Sequence, residues 1–186
     1  MPIVLIDCDG PLTRGFTDKA CAVLQSLGVA AQYQNVKFWD LSRSFTLDRD
    51  VSEELWKQLR APSVAYDFAP NHGVEKFLSR LREMAYVVCV TAPLLESPTW
   101  AFDRTRWLTE RLCFSPSEIV LATNKSHVMG DVLIDDHEGN LRRWQRRHPT
   151  SEVIMWAEPA NEQSNFAGHR TDSYDVLIEH LRKKFA

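Results

Sequence analysis

No run of this 186-residue sequence approaches the roughly 20 consecutive apolar residues that a membrane-crossing helix requires, so no membrane partner is expected. The opening Met1-Pro2-Ile3-Val4 has no basic stretch ahead of its apolar residues, and no secretory leader is expected. An excess of one charge is also missing. The formal net charge of -3 gives no whole-protein attraction to nucleic acid or to an anionic surface. The one basic run, Arg142-Arg143-Trp144-Gln145-Arg146-Arg147-His148, is short and reads as a solvated helix face. Cysteine is limited to Cys8, Cys21, Cys89 and Cys113, without metal-type pair spacing, and no His/His or His/Cys spacing involves His72 or His127. Free buried thiols in a reducing, cytoplasmic setting are therefore expected, with no disulfide or zinc site. No internal repeat or low-complexity linker divides the chain.

What is present is an ordinary globular composition, 44% hydrophobic and 25% charged, sufficient for one α/β domain with a modest insertion. Pro2-Ile3-Val4-Leu5-Ile6 is a short, β-branched apolar run, the pattern of a strand buried on both faces. It stops at Asp7-Cys8-Asp9-Gly10, where Gly10 and Pro11 force a turn. Further strands are predicted at 86–90, 118–122, 131–134 and 152–156, and helices at 17–27, 50–59, 74–81, 100–112, 138–147 and 173–185. Thr17 or Asp18 is the expected cap of the first helix, and 158–171 reads as a polar loop. This alternation predicts a Rossmann-like three-layer α/β/α fold with a mostly parallel sheet. Residues 29 to about 68 break the rhythm. They are rich in aromatics and carry one clear helix, and 15–68 reads as a small helical cap inserted after the first strand. The core is then 1–14 with 69–186.

Four strand ends carry polar groups: Asp7 and Asp9, Thr91, Asn124 and Lys125, and Asp135 and Asp136. In a parallel sheet these ends share one edge, where open α/β folds place their chemistry. Each has a plainer explanation alone. A strand-end aspartate is often a turn former, Thr91 suits any strand, and Lys125 resembles any surface lysine. Together they suit phosphoryl transfer. One carboxylate can attack phosphorus, and a second can move the proton. A hydroxyl and an ammonium can hold the equatorial oxygens, and clustered carboxylates can ligate Mg²⁺.

This set resembles the four motifs of the haloacid dehalogenase (HAD) superfamily. Val90-Thr91-Ala92-Pro93-Leu94-Leu95, Arg106-Trp107, and the run from Asn124 through Gly130-Asp131-Val132-Leu133-Ile134-Asp135-Asp136 resemble the 5′(3′)-deoxyribonucleotidases. The resemblance covers Ile3 to Arg14 and about Ala61 to Asp136, and it is faint elsewhere. It implies an HAD core with Asp7 as nucleophile and metal ligand. Asp9 would be the acid/base, with its carbonyl on the metal. Thr91, Ala92 (through its N–H) and Lys125 would hold phosphate. Asp136 would bind Mg²⁺ with Asp135 beside it. Arg104 stands where the family carries a lysine facing the phosphate.

The departures lie near the acids: Arg14 and Gly15 replace an acid and an aromatic, Ala92 a serine, and Glu96 a lysine. Of the insertion's aromatics, Phe38, Trp39 and Phe45, with Phe16, are candidates to stack on a base. The implied activity is a Mg²⁺-dependent hydrolysis of (deoxy)nucleoside monophosphates through an aspartyl-phosphate. The alternatives are a sugar phosphate or other small phosphomonoester as substrate, or a non-catalytic nucleotide-binding scaffold. The relatives are commonly dimers, so a homodimer is an expectation that no segment of the sequence locates.

Overall fold

A computed structural model describes residues 1–186. The sheet has six strands, all parallel, in the order β3-β2-β1-β4-β5-β6. They are β1 (Ile3–Ile6), β2 (Tyr86–Thr91), β3 (Ile119–Leu121), β4 (Val132–Asp135), β5 (Glu152–Trp156) and β6 (His169–Thr171). Ile6 is opposite Cys89 on one side and Ile134 on the other, so β2 runs two residues and β4 one residue past the end of β1 toward the same edge. The pairing continues one residue further, since Asp7 N donates to the Ile134 carbonyl at 2.9 Å.

Alternation along the strands divides the interior in two. Val4 and Ile6 pack toward α4 (Val74–Arg82), α5 (Trp100–Leu112) and α7 (Tyr174–Phe185). Leu5, Leu133 and Met155 face the other way, toward Leu141 and Trp144 of α6 (Glu138–Arg147). The three layers expected for a HAD fold are thus present. Helix α4 shows why: Val74, Phe77, Leu78 and Leu81 fall on one helical face, and all are buried. Trp107 of α5 is fully buried, with its Nε1 donating to the Phe68 carbonyl at 2.6 Å.

Residues 15–68 hold α1 (Gly15–Ser26), α2 (Leu41–Phe45) and α3 (Arg49–Leu59). Ala20, Leu24, Leu41, Leu55 and Leu59 form an apolar cluster separate from the two at the sheet. Helix α1 begins earlier than the sequence suggests, and neither Thr17 nor Asp18 caps it. Instead Thr13 Oγ1 accepts from Gly15 N at 2.9 Å. Gly15 lies so close to the Phe68 side chain that a Cβ would collide with it. Asp40 and Asp48 cap α2 and α3, accepting from Arg43 N at 3.1 Å and Val51 N at 2.9 Å.

Three readings need correction. The loop expected at 158–171 contains β6, a three-residue edge strand whose polar His-Arg-Thr sequence has no apolar alternation. Helix α2 is five residues long, too short to show a period. Cys113 is exposed, at a left-handed φ of 54° where α5 ends, whereas Cys8, Cys21 and Cys89 are buried free thiols. No helix is long and apolar enough to cross a membrane.

Candidate active site

The loop after β1 is fixed from several directions. Asn71 Nδ2 donates to the Gly10 carbonyl at 2.7 Å, and Thr13 Oγ1 donates to the Ala69 carbonyl at 2.7 Å. Gly10 has a φ of 83°, and a Cβ there would meet the Asp136 carboxylate. Glycine is thus required twice, by the backbone and by the neighbour. This turn aims Asp7 at the next strand ends.

Lys125 lies in a short turn after β3, with the Asn124 side chain accepting from Ser126 N at 3.2 Å and Ser126 Oγ at 2.8 Å. Its Nζ reaches Asp7 Oδ2 and Asp135 Oδ2, both at 2.6 Å. Asp135, at the end of β4, also accepts from His137 N at 2.8 Å and from Asn140 Nδ2 at 3.2 Å. Asp7 Oδ1 accepts from Cys8 N at 2.7 Å. Thr91 Oγ1, at the end of β2, is buried and has no hydrogen-bond partner. A buried hydroxyl without a partner is costly unless a ligand satisfies it.

Burial drives the titrations in this group. It pushes the Asp7 carboxyl up, and although Lys125 opposes this, Asp135 and Asp9 add to it. Asp136 is raised well above the usual range by burial, then by Asp7, Asp135 and Glu158. Burial pulls the Lys125 ammonium down, but the Asp135 and Asp7 carboxylates outweigh it and keep the amine charged. Asp7, Asp135 and Asp136 each offer an oxygen within 4.8 Å of the others. Three buried carboxylates against one lysine leave negative charge that a hard divalent cation would offset, so the donor set fits Mg²⁺.

Asp7, Asp9, Thr91, Ala92, Lys125 and Asp136 line one cavity of about 310 Å³. Asp135 lies behind Lys125 with both oxygens engaged. The base-stacking candidates divide. Phe16 and Trp39 line the cavity. Phe38 does not, because the Arg43 guanidinium covers its ring at 3.8 Å, nor does Phe45, which packs against the segment's own cluster. Trp56, Trp100, His137 and Glu158 also line the cavity and were missed. Trp56 and Trp100 read as ordinary helical aromatics. Phe16 packs against both at 6.3 and 6.0 Å, and Trp39 against His137 at 5.9 Å. A larger cavity, about 730 Å³, lies behind Arg14 and Glu158, but it contains none of the strand-end groups.

Arg104 is where the structure departs most from expectation. It does not face the cavity. Its guanidinium is fully buried, with Nη2 at 2.9 and 3.0 Å from the two Asp9 oxygens and Nη1 at 2.9 Å from Cys8 Sγ. Phe68, Trp100 and Trp107 surround it, with ring centroids 5.3, 5.1 and 5.8 Å from Cζ. The Asp9 side chain consequently turns toward α5 and is not among the three clustered carboxylates.

A parallel sheet of this order, with acids after β1 and β4, a hydroxyl at β2 and a lysine after β3, defines a HAD-class hydrolase. Residues 1–184 match the model of one family, described as 5′ nucleotidase, deoxy (Pyrimidine), cytosolic type C protein. The chain belongs to that family, and is with it a phosphatase of the 5′-nucleotidase type. No curated protein matches it significantly. Among solved structures, a haloacid dehalogenase-like protein of Agrobacterium tumefaciens is similar at 14% identity, covering 99% of each chain, with a TM-score of 0.68. A HAD-hydrolase of Bacillus subtilis bound to magnesium is similar at 10% identity, covering 97% of this chain and 98% of that one, with a TM-score of 0.61. A HAD family hydrolase of Deinococcus radiodurans with bound phosphate and sodium matches at 14% identity, covering 98% and 96%, with a TM-score of 0.52. These three share the fold.

Proposed function

We propose that this protein is a Mg²⁺-dependent phosphatase of (deoxy)nucleoside monophosphates. Its support is the convergence of Asp7, Thr91, Lys125 and Asp136 on one cavity whose opposite wall is aromatic. An Asp7 oxygen attacks phosphorus in line, and the P–O bond to the leaving alkoxide breaks. A proton from Asp9 completes the leaving alcohol, and Asp7 carries the phosphoryl group. Water then attacks that phosphorus while Asp9 takes its proton, which releases phosphate and restores the Asp7 carboxylate. Lys125 holds the Asp7 oxygen and the phosphoryl oxygens, and the free Thr91 hydroxyl and Ala92 N–H complete the shell. Asp7 and Asp136, with the Asp9 carbonyl, would hold the Mg²⁺, which would neutralise charge on the phosphoryl oxygens.

Residues 15–68 act as a cap in this reading. Trp39 and His137 form one wall for a base, and Phe16, Trp56 and Trp100 the other. A cavity of about 310 Å³ suits a mononucleotide. Four free thiols suit a cytoplasmic setting.

The test is phosphate release from nucleoside 5′- and 3′-monophosphates and from sugar phosphates, with Mg²⁺ or with chelator. Release from nucleotides that chelator abolishes is expected. Hydrolysis confined to sugar phosphates would overturn the substrate class, and activity indifferent to chelator would overturn the metal.

A further inference from the structure

We propose that Arg104 is the positioning residue for Asp9, the pivot that fixes which way the acid/base carboxylate points. The inference rests on the reading of Asp9 given above. Asp9 and Arg104 lie on opposite sides of the cavity wall. Asp9 lines the cavity with its side chain 31% exposed, while Arg104 is fully enclosed. A guanidinium cannot shed its charge, so an enclosed one requires an anion. Asp9 is the only carboxylate bonded to it.

The contact has a form suited to a pivot. A single nitrogen, Nη2, is shared by both Asp9 oxygens at 2.9 and 3.0 Å, with no second parallel bond. One oxygen can turn to a leaving group while the other keeps the contact. Nη1 is engaged with Cys8 Sγ, and Nε has no partner, so Asp9 is the principal anchor. The aromatic side chains of Phe68, Trp100 and Trp107 prevent the guanidinium from following the carboxylate. The same contact holds the Asp9 side chain off Lys125, which leaves that ammonium to Asp7 and Asp135.

The test is a double-mutant cycle on hydrolysis of the best nucleotide. Arg104→Met is expected to lower kcat by about 10- to 100-fold, a part of the acid/base contribution, with KM unchanged. Arg104→Lys, a point charge without the planar fork, should recover part of that loss. The decisive variant is Asp9→Asn combined with Arg104→Met. If Arg104 acts through Asp9, the pair is no slower than Asp9→Asn alone. A merely structural arginine would lower the activity of the Asp9→Asn protein further. Thermal melting checks folding, and if Arg104→Met does not fold, the cycle is run with Arg104→Lys. Additive losses, a raised KM with normal kcat, or full activity of Arg104→Met beside a slow Asp9→Asn would overturn the proposal alone. An unimpaired Asp9→Asn would instead overturn the acid/base reading on which it rests.

Discussion

The strand-end edge and the segment 15–68 meet at one cavity but are built in opposite ways. At the edge, charged groups are buried and held at 2.6 to 3.0 Å by residues far apart in sequence, as with Lys125 between Asp7 and Asp135. The segment has its own apolar cluster, while its last residues, Ala65 and Phe68, pack into the main core beside α5. Tyr33 donates to Glu158, Ser63 N donates to Thr99 Oγ1 at 3.0 Å and to Asp103 Oδ2 at 3.1 Å, and Arg60 reaches Glu96 at 4.0 Å. Chemistry that needs fixed geometry sits at the ends of paired strands, and contacts that choose a substrate sit where the segment 15–68 meets them.

Five substitutions break or sharpen that contrast. Asp7→Asn should lower turnover more than about a thousandfold without unfolding the protein, because it removes the attacking oxygen and keeps the shape. Lys125→Met should cost about a hundredfold in kcat. It should also destabilise the fold by about 3–5 kcal/mol, because Asp7 and Asp135 lose their shared counter-charge, and a denaturant titration measures this. In the segment 15–68, Trp39→Ala or Trp56→Ala should weaken nucleotide kcat/KM by about 1–3 kcal/mol. Methyl phosphate, which has no ring to stack, should suffer less, so equal losses on both substrates would place these aromatics outside the base site. Tyr33→Phe should raise KM about fivefold by removing one hydrogen bond of about 1 kcal/mol between segment 15–68 and the loop after β5.

The smallest effect lies away from both regions and calibrates them. Burial raises the Glu152 carboxyl, but hydrogen bonds from His180 and Lys184 outweigh it and the net direction is down. A depressed carboxyl contributes stability above its unfolded pKa, and the contribution is lost as pH falls through the folded value. Glu152→Gln should therefore lower stability at neutral pH by at most about 1 kcal/mol. The difference from the wild type should fade below about pH 4.

The same contrast explains what was legible in the sequence. Strands β1, β2, β4 and β5 are buried on both faces and announce themselves as apolar runs, so the acids and the hydroxyl at their ends could be grouped, and Lys125 joined them because the short apolar run of β3, though less buried, was also visible. Strand β6 could not be seen because it is short, polar and at the edge. Arg104 reads as a phosphate ligand only through the resemblance, because it stands where the family carries a lysine facing the phosphate. Its direction depends on Trp100, Trp107 and Phe68 closing around it. Among the aromatics, Phe38, Phe45, Trp39 and Trp56 look alike in composition. Only packing decides which fill the segment's own cluster and which face the cavity. Glu158 carried no signal, since it lines the cavity from a loop after β5.

The central claim is that Asp7 carries the phosphoryl group. Protein mixed with the best nucleotide and Mg²⁺, quenched in acid and mapped by peptide mass spectrometry tests it most directly. One phosphoryl group on Asp7, released by hydroxylamine and absent from Asp7→Asn, is the predicted result. Turnover with no phosphorylated peptide, or with the group on any other residue, would contradict the account.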